Sequence, residues 1–195
     1  RQRQMCIRDS ADAKRGDIGN TSSMYAKAYF DTLNFDSITI NPYMGKDSVE
    51  PFLEYKNKHT ILLALTSNLG AFDFQTKNVD KTSQQLYQEV IKTSKSWKNS
   101  SQLMYVIGAT KSSYLKDIRN IIPNSFLLIP GIGAQGGNLK NVCNNGMNND
   151  VGLLINSSRS IIYASNDHDF DLISANKAQE IQSQMQDILA LKGFI

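Results

Sequence analysis

The stretch Ala11–Thr21, which reads ADAKRGDIGNT, decides how the rest of the chain is interpreted. If Asp12 to Lys14 is extended, side chains two residues apart share one face, so a carboxylate and an ammonium point the same way about 7 Å apart. Gly16 lets the chain turn after such a strand, which leaves Asp17 just past its carboxyl end, where α/β barrels and sheets place their active sites. A lone D-x-K is otherwise a strand end with a solvated salt bridge, so the longer string carries the prediction.

The composition is that of a globular protein with one substantial core. The chain has 195 residues, of which 41% are hydrophobic and 20% charged. No apolar run approaches the roughly 20 residues that a membrane-spanning helix needs, and we predict a cytoplasmic protein with no membrane partner. Cys6 and Cys143 are too few for a disulfide framework or a thiolate metal site.

The net charge of +3 does not indicate a nucleic-acid-binding surface. Residues 1–9 hold three arginines and one aspartate, and the remainder carries 18 basic against 17 acidic residues. The string RQRQMCIRD looks like translated sequencing adapter. We therefore expect residues 1–9 to be a non-native leader and residues 10–195 to form the functional domain.

Short apolar runs alternate with amphipathic stretches along the whole chain. Near-continuous apolar runs are typical of parallel strands buried on both faces, and their alternation with helices predicts a parallel sheet, either open and doubly wound or closed into a barrel. The predicted strands contain residues 12–14, 37–40, 60–65, 103–108, 126–130 and 151–156. The predicted helices cover residues 22–34, 83–98, 112–122, 160–164 and 175–191, with another beginning after Asp47 and Ser48 and an irregular loop at 71–82.

The positions of the polar motifs favour the barrel. Each glycine-rich or polar signal follows a strand, and two phosphate-like loops follow the last two strands, where (β/α)8 barrels commonly bind phosphate. Gly131–Gly137 contains four glycines in seven residues and can present backbone amides to an anion. Arg159, between a strand and a helix start, offers a fork of donors suited to phosphate.

These motifs together resemble one enzyme family. The string D-x-K-x-x-D-I-x-x-T is followed by Asn41-Pro42-Tyr43, by Thr66-Ser67-Asn68 and by PGIGAQGG at 130–137. This set resembles the orotidine 5′-monophosphate decarboxylases, in particular the bacterial branch sometimes called type 2, from about Ala11 to the C-terminus. The resemblance implies a (β/α)8 TIM barrel whose third strand ends at the D-x-K motif.

On that resemblance the chain is a fragment that lacks about the first two βα units of the barrel. A strand-1 aspartate that binds the ribose and a strand-2 lysine of the catalytic charge network would be absent with them. We therefore expect this fragment alone to be inactive.

The resemblance also implies an activity: decarboxylation of orotidine 5′-monophosphate to uridine 5′-monophosphate in pyrimidine biosynthesis, with no metal or organic cofactor. Lys14 would stabilise the developing carbanion and donate a proton to C6, and Asp12 would face the substrate carboxylate. Asp17 would hold Lys14 cationic and, with Ile18 and Thr21, would come from the neighbouring subunit of a homodimer that shares its active sites.

The same resemblance assigns the nucleotide-binding residues. Arg159 and the adjacent Ser158 are assigned to the 5′-phosphate, and Gln135 with Gly133 to the same end of the nucleotide. Ser67 is assigned to the amide edge of the pyrimidine. Asn41 and Asn68 are equally consistent with substrate binding and with capping of loop backbone. His59 and His168 show neither a triad nor a metal-ligand spacing.

Two other readings stay open from the residues. Sugar-phosphate decarboxylases of the same barrel superfamily use a similar D-x-K-x-x-D with magnesium, although the motifs at Thr66–Asn68 and Gly133–Gly137 favour the nucleotide enzyme. From a different class, the chain could be a non-catalytic barrel that binds phosphate ligands, or an inactive truncation product.

Overall fold

The computed structural model describes residues 9–79, 83–133 and 135–195, and its backbone contacts divide the chain into two compact units. The first unit contains the residues up to Leu65 together with Gly70–Val106, and the second contains Thr66–Leu69 and Ile107–Ile195. Of the predicted leader, only Asp9 lies within the described residues, and Cys6 lies outside them. Six strands, each followed by at least one helix, repeat along the described residues, which confirms the predicted βα alternation.

The strands of the first unit follow one another in chain order. Parallel pairing joins the first strand to the second and the second to the third, with Ile38 opposite Thr60. All residues of the second and fourth strands are buried, as expected for central strands of a parallel sheet. The strands are β1 (Ser10–Arg15), β2 (Ser37–Ile40), β3 (His59–Leu65) and β4 (Leu103–Ile107), the last of which runs to the boundary with the second unit.

The helices of the first unit differ from the prediction mainly at their ends. They are α1 (Gly19–Lys27), α2 (Lys46–Leu53), α3 (Ala71–Phe74) and α4 (Leu86–Lys95). The first continues as a π-helix, Ala28–Thr32, and a 3-10 turn, Ser100–Gln102, precedes β4. Residues 71–74 are helical where an irregular loop was predicted, and residues 80–82 of that loop lie outside the described residues. Four residues make one turn, which is too short to show a helical period in sequence.

Aromatic side chains fill the core beneath α1 and α2. Phe30 packs edge-on against Phe52 with ring centroids 6.2 Å apart, and its centroid lies 5.1 Å from that of Tyr55. Phe30 and Phe52 are each 2% exposed. Edge-to-face contacts of this kind add about 0.5–1.5 kcal/mol to the burial of the rings. The helices that follow β1 and β2 are thereby anchored together.

The described residues of the second unit contain one parallel strand pair and five helical segments. Strands β5 (Leu127–Pro130) and β6 (Leu153–Asn156) pair in register, from Leu127 opposite Leu153 to Pro130 opposite Asn156. The helical segments are a 3-10 helix at Ala109–Tyr114, α5 (Leu115–Ile121), α6 (Leu139–Gly146), α7 (Arg159–Ile162) and α8 (Phe170–Leu191). Among the helices of the described residues, none is long and apolar enough to cross a bilayer.

Helix α6 was not predicted. Asn138 caps it by accepting the Asn141 amide at 2.9 Å, and Leu139, Val142 and Cys143 form its buried side. Burial raises the pKa of the Cys143 thiol, so this cysteine is a packing residue. The signal was present as apolar residues at i, i+3 and i+4, but it spans little more than one turn within an asparagine-rich segment of low helix propensity.

Arg119 holds the segment that enters β6. Its guanidinium donates to the carbonyl oxygens of Gly146 (2.6 Å), Ser125 (2.6 Å) and Gly152 (2.8 Å). Burial lowers the pKa of Arg119 to about 10, so the side chain remains cationic at neutral pH. This charged donor, which also reaches the Ile122 carbonyl at 3.3 Å, ties together α5, α6 and the entry to β6.

The C-terminal helix α8 begins five residues before the predicted start. The predicted stripe of Ile181, Met185, Ile188 and Leu189 is its half-covered side, although no residue of this helix is fully buried. Within the second unit, α8 contacts α7 and α6. The stripe therefore marks the correct face with less burial than we expected.

Candidate active site

A bulge in β1 sets the geometry of the D-x-K motif. Ala11 lies opposite Ile38 and Arg15 lies opposite Ile40, so the three residues 12–14 of β1 face the single residue Thr39 of β2. Bulges interrupt the ladder, bend the strand and re-aim side chains, and they are frequent next to active sites. Asp12 to Lys14 thus lie in a strand, as predicted, but the strand is bulged there and not regularly extended.

Within the bulge, Lys14 adopts a left-handed backbone conformation with φ of 49°. A residue with a side chain is strained there by about 1 kcal/mol or more. Its Nζ nevertheless reaches Oδ2 of Asp12 at 2.5 Å, and the two side chains remain 52% and 65% exposed, respectively. The ammonium and the carboxylate lie on one side of the strand, as predicted, but as an exposed ion pair at 2.5 Å and not about 7 Å apart.

Asp17, Ile18 and Thr21 lie beyond the end of β1, as predicted. The Asp17 carboxylate accepts the backbone amide of Ile18 at 2.8 Å, so within this chain it faces backbone and does not join the Asp12–Lys14 pair. Ile18 precedes α1 and is 57% exposed, and Thr21 is exposed in the first turn of that helix. This end of the first unit therefore exposes Ile18 and Thr21, while the Asp17 carboxylate is half-buried and bonded to backbone.

Asn41 caps a loop. Its Oδ1 accepts the Tyr43 amide at 3.0 Å, and its own amide donates to the Arg15 carbonyl at 2.7 Å. The backbone capping that one of the two alternatives predicts for Asn41 is thus present, and a part in substrate binding stays a prediction. Gly16 lies against the same residue, since an added Cβ would be 3.4 Å from the Asn41 Cβ.

The second unit contains a pocket of about 450 Å³. Ser67 Oγ donates to Gln135 Oε1 at 2.6 Å across it, and Thr110 Oγ1 donates to the Ser67 carbonyl at 3.1 Å. The volume lies within the range of small-molecule sites. Two residues assigned to nucleotide binding from the sequence are therefore in direct contact. The pocket is lined by Ser67, Asn68, Leu69, Thr110, Lys111 and Gln135.

Gly108 lets the backbone of Ser67, which lines the pocket, approach closely. A Cβ at Gly108 would lie 2.5 Å from the backbone nitrogen and 2.6 Å from the Cα of Ser67. Real Cβ atoms do not come so near to backbone, so any other residue would push the 66–69 segment away. The glycine that ends the predicted strand 103–108 is thus required by packing, while its own φ of −61° is ordinary.

Several backbone amides of the glycine-rich loop 131–137 donate to carbonyls within the same loop. Gly136 donates to the Gly133 carbonyl at 2.7 Å, and Gly137 donates to the Gly131 carbonyl at 3.1 Å. The amide of Gly133 makes a long bond, 3.4 Å to the Gly137 carbonyl. The row of outward amides that we expected is therefore partly folded into an internal turn. Ala134 lies outside the described residues.

The loops that follow β5 and β6 contact each other. Ser157 Oγ donates to the Ile132 carbonyl at 3.1 Å, and a Cβ on Gly133, whose φ is 81°, would be 3.0 Å from Ser160 Oγ. Ser158 precedes α7 and Arg159 begins it, both exposed. The structure thus brings Gly133 to the segment that carries Ser158 and Arg159.

Lys111 and Thr39 were missed by the sequence reasoning. Lys111 is 6% exposed and lines the pocket, and Thr39 is fully buried beside the Asp12–Lys14 pair. The only signal for Lys111 was a cation directly after a buried strand in GATK. Thr39 gave no separate signal, because a threonine in SITI reads as an ordinary β-branched strand residue.

Metal ligands are not gathered in the part of the chain that the structure describes. No group of three or more His, Cys, Asp and Glu side chains there could hold a metal ion. His168 is exposed and His59, at the start of β3, is half-buried.

Comparisons with known proteins agree on one family. The model of the orotidine 5′-phosphate decarboxylase / HUMPS family matches residues 10–169. The orotidine 5′-phosphate decarboxylase of Christiangramia forsetii is 68% identical over 176 residues, which cover 90% of this chain and 64% of that protein. The enzyme of the same name from Flavobacterium johnsoniae is 64% identical over 182 residues, which cover 93% of this chain and 66% of that protein. The chain thus spans slightly less than two thirds of the length of these two relatives.

A solved structure gives the same result for the fold. The structure of Leishmania donovani OMP decarboxylase superposes with a TM-score of 0.83 at 34% identity, covering 95% of this chain and 70% of that one.

Proposed function

The chain belongs to the orotidine 5′-phosphate decarboxylase / HUMPS family, and from this premise we propose that the protein decarboxylates orotidine 5′-monophosphate to uridine 5′-monophosphate. The observation that carries the proposal is the 2.5 Å contact between Lys14 Nζ and Asp12 Oδ2 at the carboxyl end of β1. It combines a proton donor with a fixed negative charge at the place where barrel enzymes act.

In the proposed reaction, the bond from C6 of the pyrimidine to the carboxylate carbon breaks and its electron pair stays on C6. Carbon dioxide leaves, and Lys14 donates a proton from Nζ to C6. The lysine charge stabilises the carbanion as it develops, and proton donation completes the product. Asp12 repels the substrate carboxylate until carbon dioxide departs.

The second unit supplies the groups proposed to bind the nucleotide. Ser67 and Gln135 form one hydrogen-bonded wall of the 450 Å³ pocket, and we assign Ser67 to the pyrimidine amide and Gln135 to the phosphate end. Gly133, Ser158 and Arg159 serve the 5′-phosphate. Arg159 is exposed and cationic, so its guanidinium is available to a dianion.

We further propose a homodimer in which Asp17, Ile18 and Thr21 act on the partner's substrate. Two observations support it: Ile18 is an apolar side chain 57% exposed beside the motif, and Asp17 does not pair with Lys14 of its own chain. The six βα repeats are proposed to be six of the eight repeats of a (β/α)8 barrel. The sequence likeness to longer relatives of one family supports this.

A chimeric enzyme tests the proposed activity. The region of the Christiangramia forsetii decarboxylase that aligns with this chain is replaced by this chain's residues, and conversion of orotidine 5′-monophosphate is measured directly. We expect turnover, and we expect a matched chimera with Lys14→Ala to lose it. A folded chimera that binds the nucleotide without converting it would overturn the proposal.

A further inference from the structure

Thr39 occupies a unique place opposite the D-x-K motif. It is the single β2 residue that faces residues 12–14, and its side chain is fully buried. The regular ladder resumes only beyond the bulge, where the Asn41 amide donates to the Arg15 carbonyl at 2.7 Å. Between these points the ladder is interrupted, and a side chain supplies the missing hydrogen bonds.

The Thr39 hydroxyl contacts both members of the charged pair. The backbone amide of Lys14 donates to Thr39 Oγ1 at 2.9 Å, and Thr39 Oγ1 lies 3.0 Å from Oδ1 of Asp12. The carbonyl of Ala11 is a third neighbour at 3.5 Å. A hydroxyl has one proton to donate, and the carboxylate is both the nearer and the charged acceptor. The proton therefore points to Asp12, and a lone pair accepts the Lys14 amide.

This arrangement engages both oxygens of the Asp12 carboxylate. Oδ1 accepts from Thr39, and Oδ2 is in contact with Lys14 Nζ. The same hydroxyl holds the backbone of Lys14 in its left-handed conformation, which an unrestrained lysine avoids. One buried side chain thus restrains the orientation of the carboxylate and the direction from which the ammonium arrives.

We propose that Thr39 is a positioning residue for the decarboxylation: its hydroxyl holds the Asp12 carboxylate and the Lys14 backbone so that Nζ is presented to the reacting carbon. The proposal rests on the proposed function for its catalytic consequence. Its geometric part, that Thr39 restrains Lys14, depends only on the hydrogen bonds of the Thr39 hydroxyl and not on the proposed function.

Thr60 provides a matched control. It is a threonine on the neighbouring strand β3, 1% exposed, and its hydroxyl oxygen has no hydrogen-bond partner among the residues that the structure describes. Thr60→Val therefore removes a buried hydroxyl of the same kind without removing a contact. Thr39→Val removes both contacts while keeping the β-branched shape, and Thr39→Ser keeps the hydroxyl and loses only the methyl group.

The geometric part is tested by amide hydrogen exchange in the 195-residue chain, followed by NMR. In Thr39→Val the Lys14 amide loses its acceptor, and we expect its exchange to quicken by about tenfold or more. The Asn41 amide, on the next rung of the same strand pair, should change little. Thr39→Ser and Thr60→Val should leave both amides near their original rates. An unchanged Lys14 amide in Thr39→Val, or an equal rise at Asn41, would overturn the proposal.

The catalytic part is tested with the same substitutions in the chimera that tests the proposed function. We expect Thr39→Val to lower kcat by about 10- to 100-fold with KM nearly unchanged, because the lost contacts act on the reacting groups. Thr39→Ser should recover most of the rate, and Thr60→Val should match the parent. A loss that Ser does not restore, or a change confined to KM, contradicts the positioning role. A parent with no turnover refutes the proposed function, and the exchange measurement then decides the geometric part alone.

Discussion

Ser67 Oγ donates a 2.6 Å hydrogen bond to Gln135 Oε1, a residue 68 positions further along the chain. The bond joins the segment after β3 to the glycine-rich loop after β5 and forms one wall of the pocket. The hydrogen bond thus links two loops that both line the pocket.

Gln135→Glu should keep the bond from Ser67, since a carboxylate also accepts it, but places a negative charge where the phosphate is proposed to bind. We expect KM for orotidine 5′-monophosphate to rise by about tenfold or more with little change in kcat. Gln184→Glu, an exposed position on α8, makes the same change in charge elsewhere and should leave KM unaltered. Steady-state kinetics of the three proteins measure this, and equal effects of the two substitutions would remove Gln135 from the phosphate site.

Lys14→Ala should remove the proton donor and the electrostatic stabiliser together. The loss of kcat should exceed the roughly 10²–10⁴-fold that general acid catalysis alone contributes. Lys46→Ala is the matched control, because Lys46 forms an exposed ion pair with Glu50 at 3.1 Å and its side chain is 54% exposed, close to the 52% of Lys14. Exposed pairs contribute only about 0–1 kcal/mol to stability, so both variants should melt near the parent. Less than a tenfold fall in turnover for Lys14→Ala would show that its role is structural.

Arg159→Ala should weaken substrate binding through the 5′-phosphate by about 2–4 kcal/mol. The nucleoside orotidine, which lacks the phosphate, should be bound equally by variant and parent. Arg119→Met gives the contrast: it removes a half-buried guanidinium that donates to four backbone carbonyls, and we expect a fall of about 2 kcal/mol or more in unfolding free energy. Calorimetry of binding and of unfolding distinguishes the proposed binding role of Arg159 from the stabilising role of Arg119. A loss of orotidine binding in Arg159→Ala equal to that for the nucleotide would assign Arg159 to the fold.

Gly108→Ala should displace the 66–69 segment, because its Cβ would meet the Ser67 backbone at 2.5–2.6 Å. The added carbon costs about 1–3 kcal/mol of stability as an overpacking substitution, and nucleotide affinity should fall with the displaced Ser67. Gly193→Ala is the control, since its φ of 76° makes alanine unfavourable, while the new carbon would lie more than 4 Å from every described residue other than Gly193 itself and its two chain neighbours. It should cost about 1 kcal/mol and leave affinity unchanged. Gly108→Ala with parental affinity would contradict the close approach.

Treatment with EDTA should leave turnover of the chimera unchanged. The proposed mechanism takes its positive charge from Lys14, and the described residues gather no group of three metal ligands. The related sugar-phosphate decarboxylases use magnesium, so the experiment separates the two activities. Turnover that EDTA abolishes and magnesium restores would favour the sugar-phosphate reaction.

Local sequence patterns were sufficient to predict the order of the six strands and most of the helices, although α3 and α6 were missed. The apolar runs at 60–65 and 103–108 are buried strands because a strand covered on both faces needs apolar side chains in succession. The half-covered stripe on α8 was predicted from its 3.6-residue period. Positions of Asp12, Lys14 and Asp17 at the end of β1 also followed from the motif, since they depend only on neighbours in sequence.

Contacts between distant residues required the tertiary structure. The bulge in β1 exists because three residues of one strand meet one residue of another, and no property of DAK alone predicts that register. Thr39 gains its two partners, and Gly108 its steric role, from chain segments 25 to 41 residues away. Sequence patterns report how each residue partitions between solvent and core, whereas the direction of a hydroxyl proton or the distance from a Cβ to a loop depends on how those segments pack together.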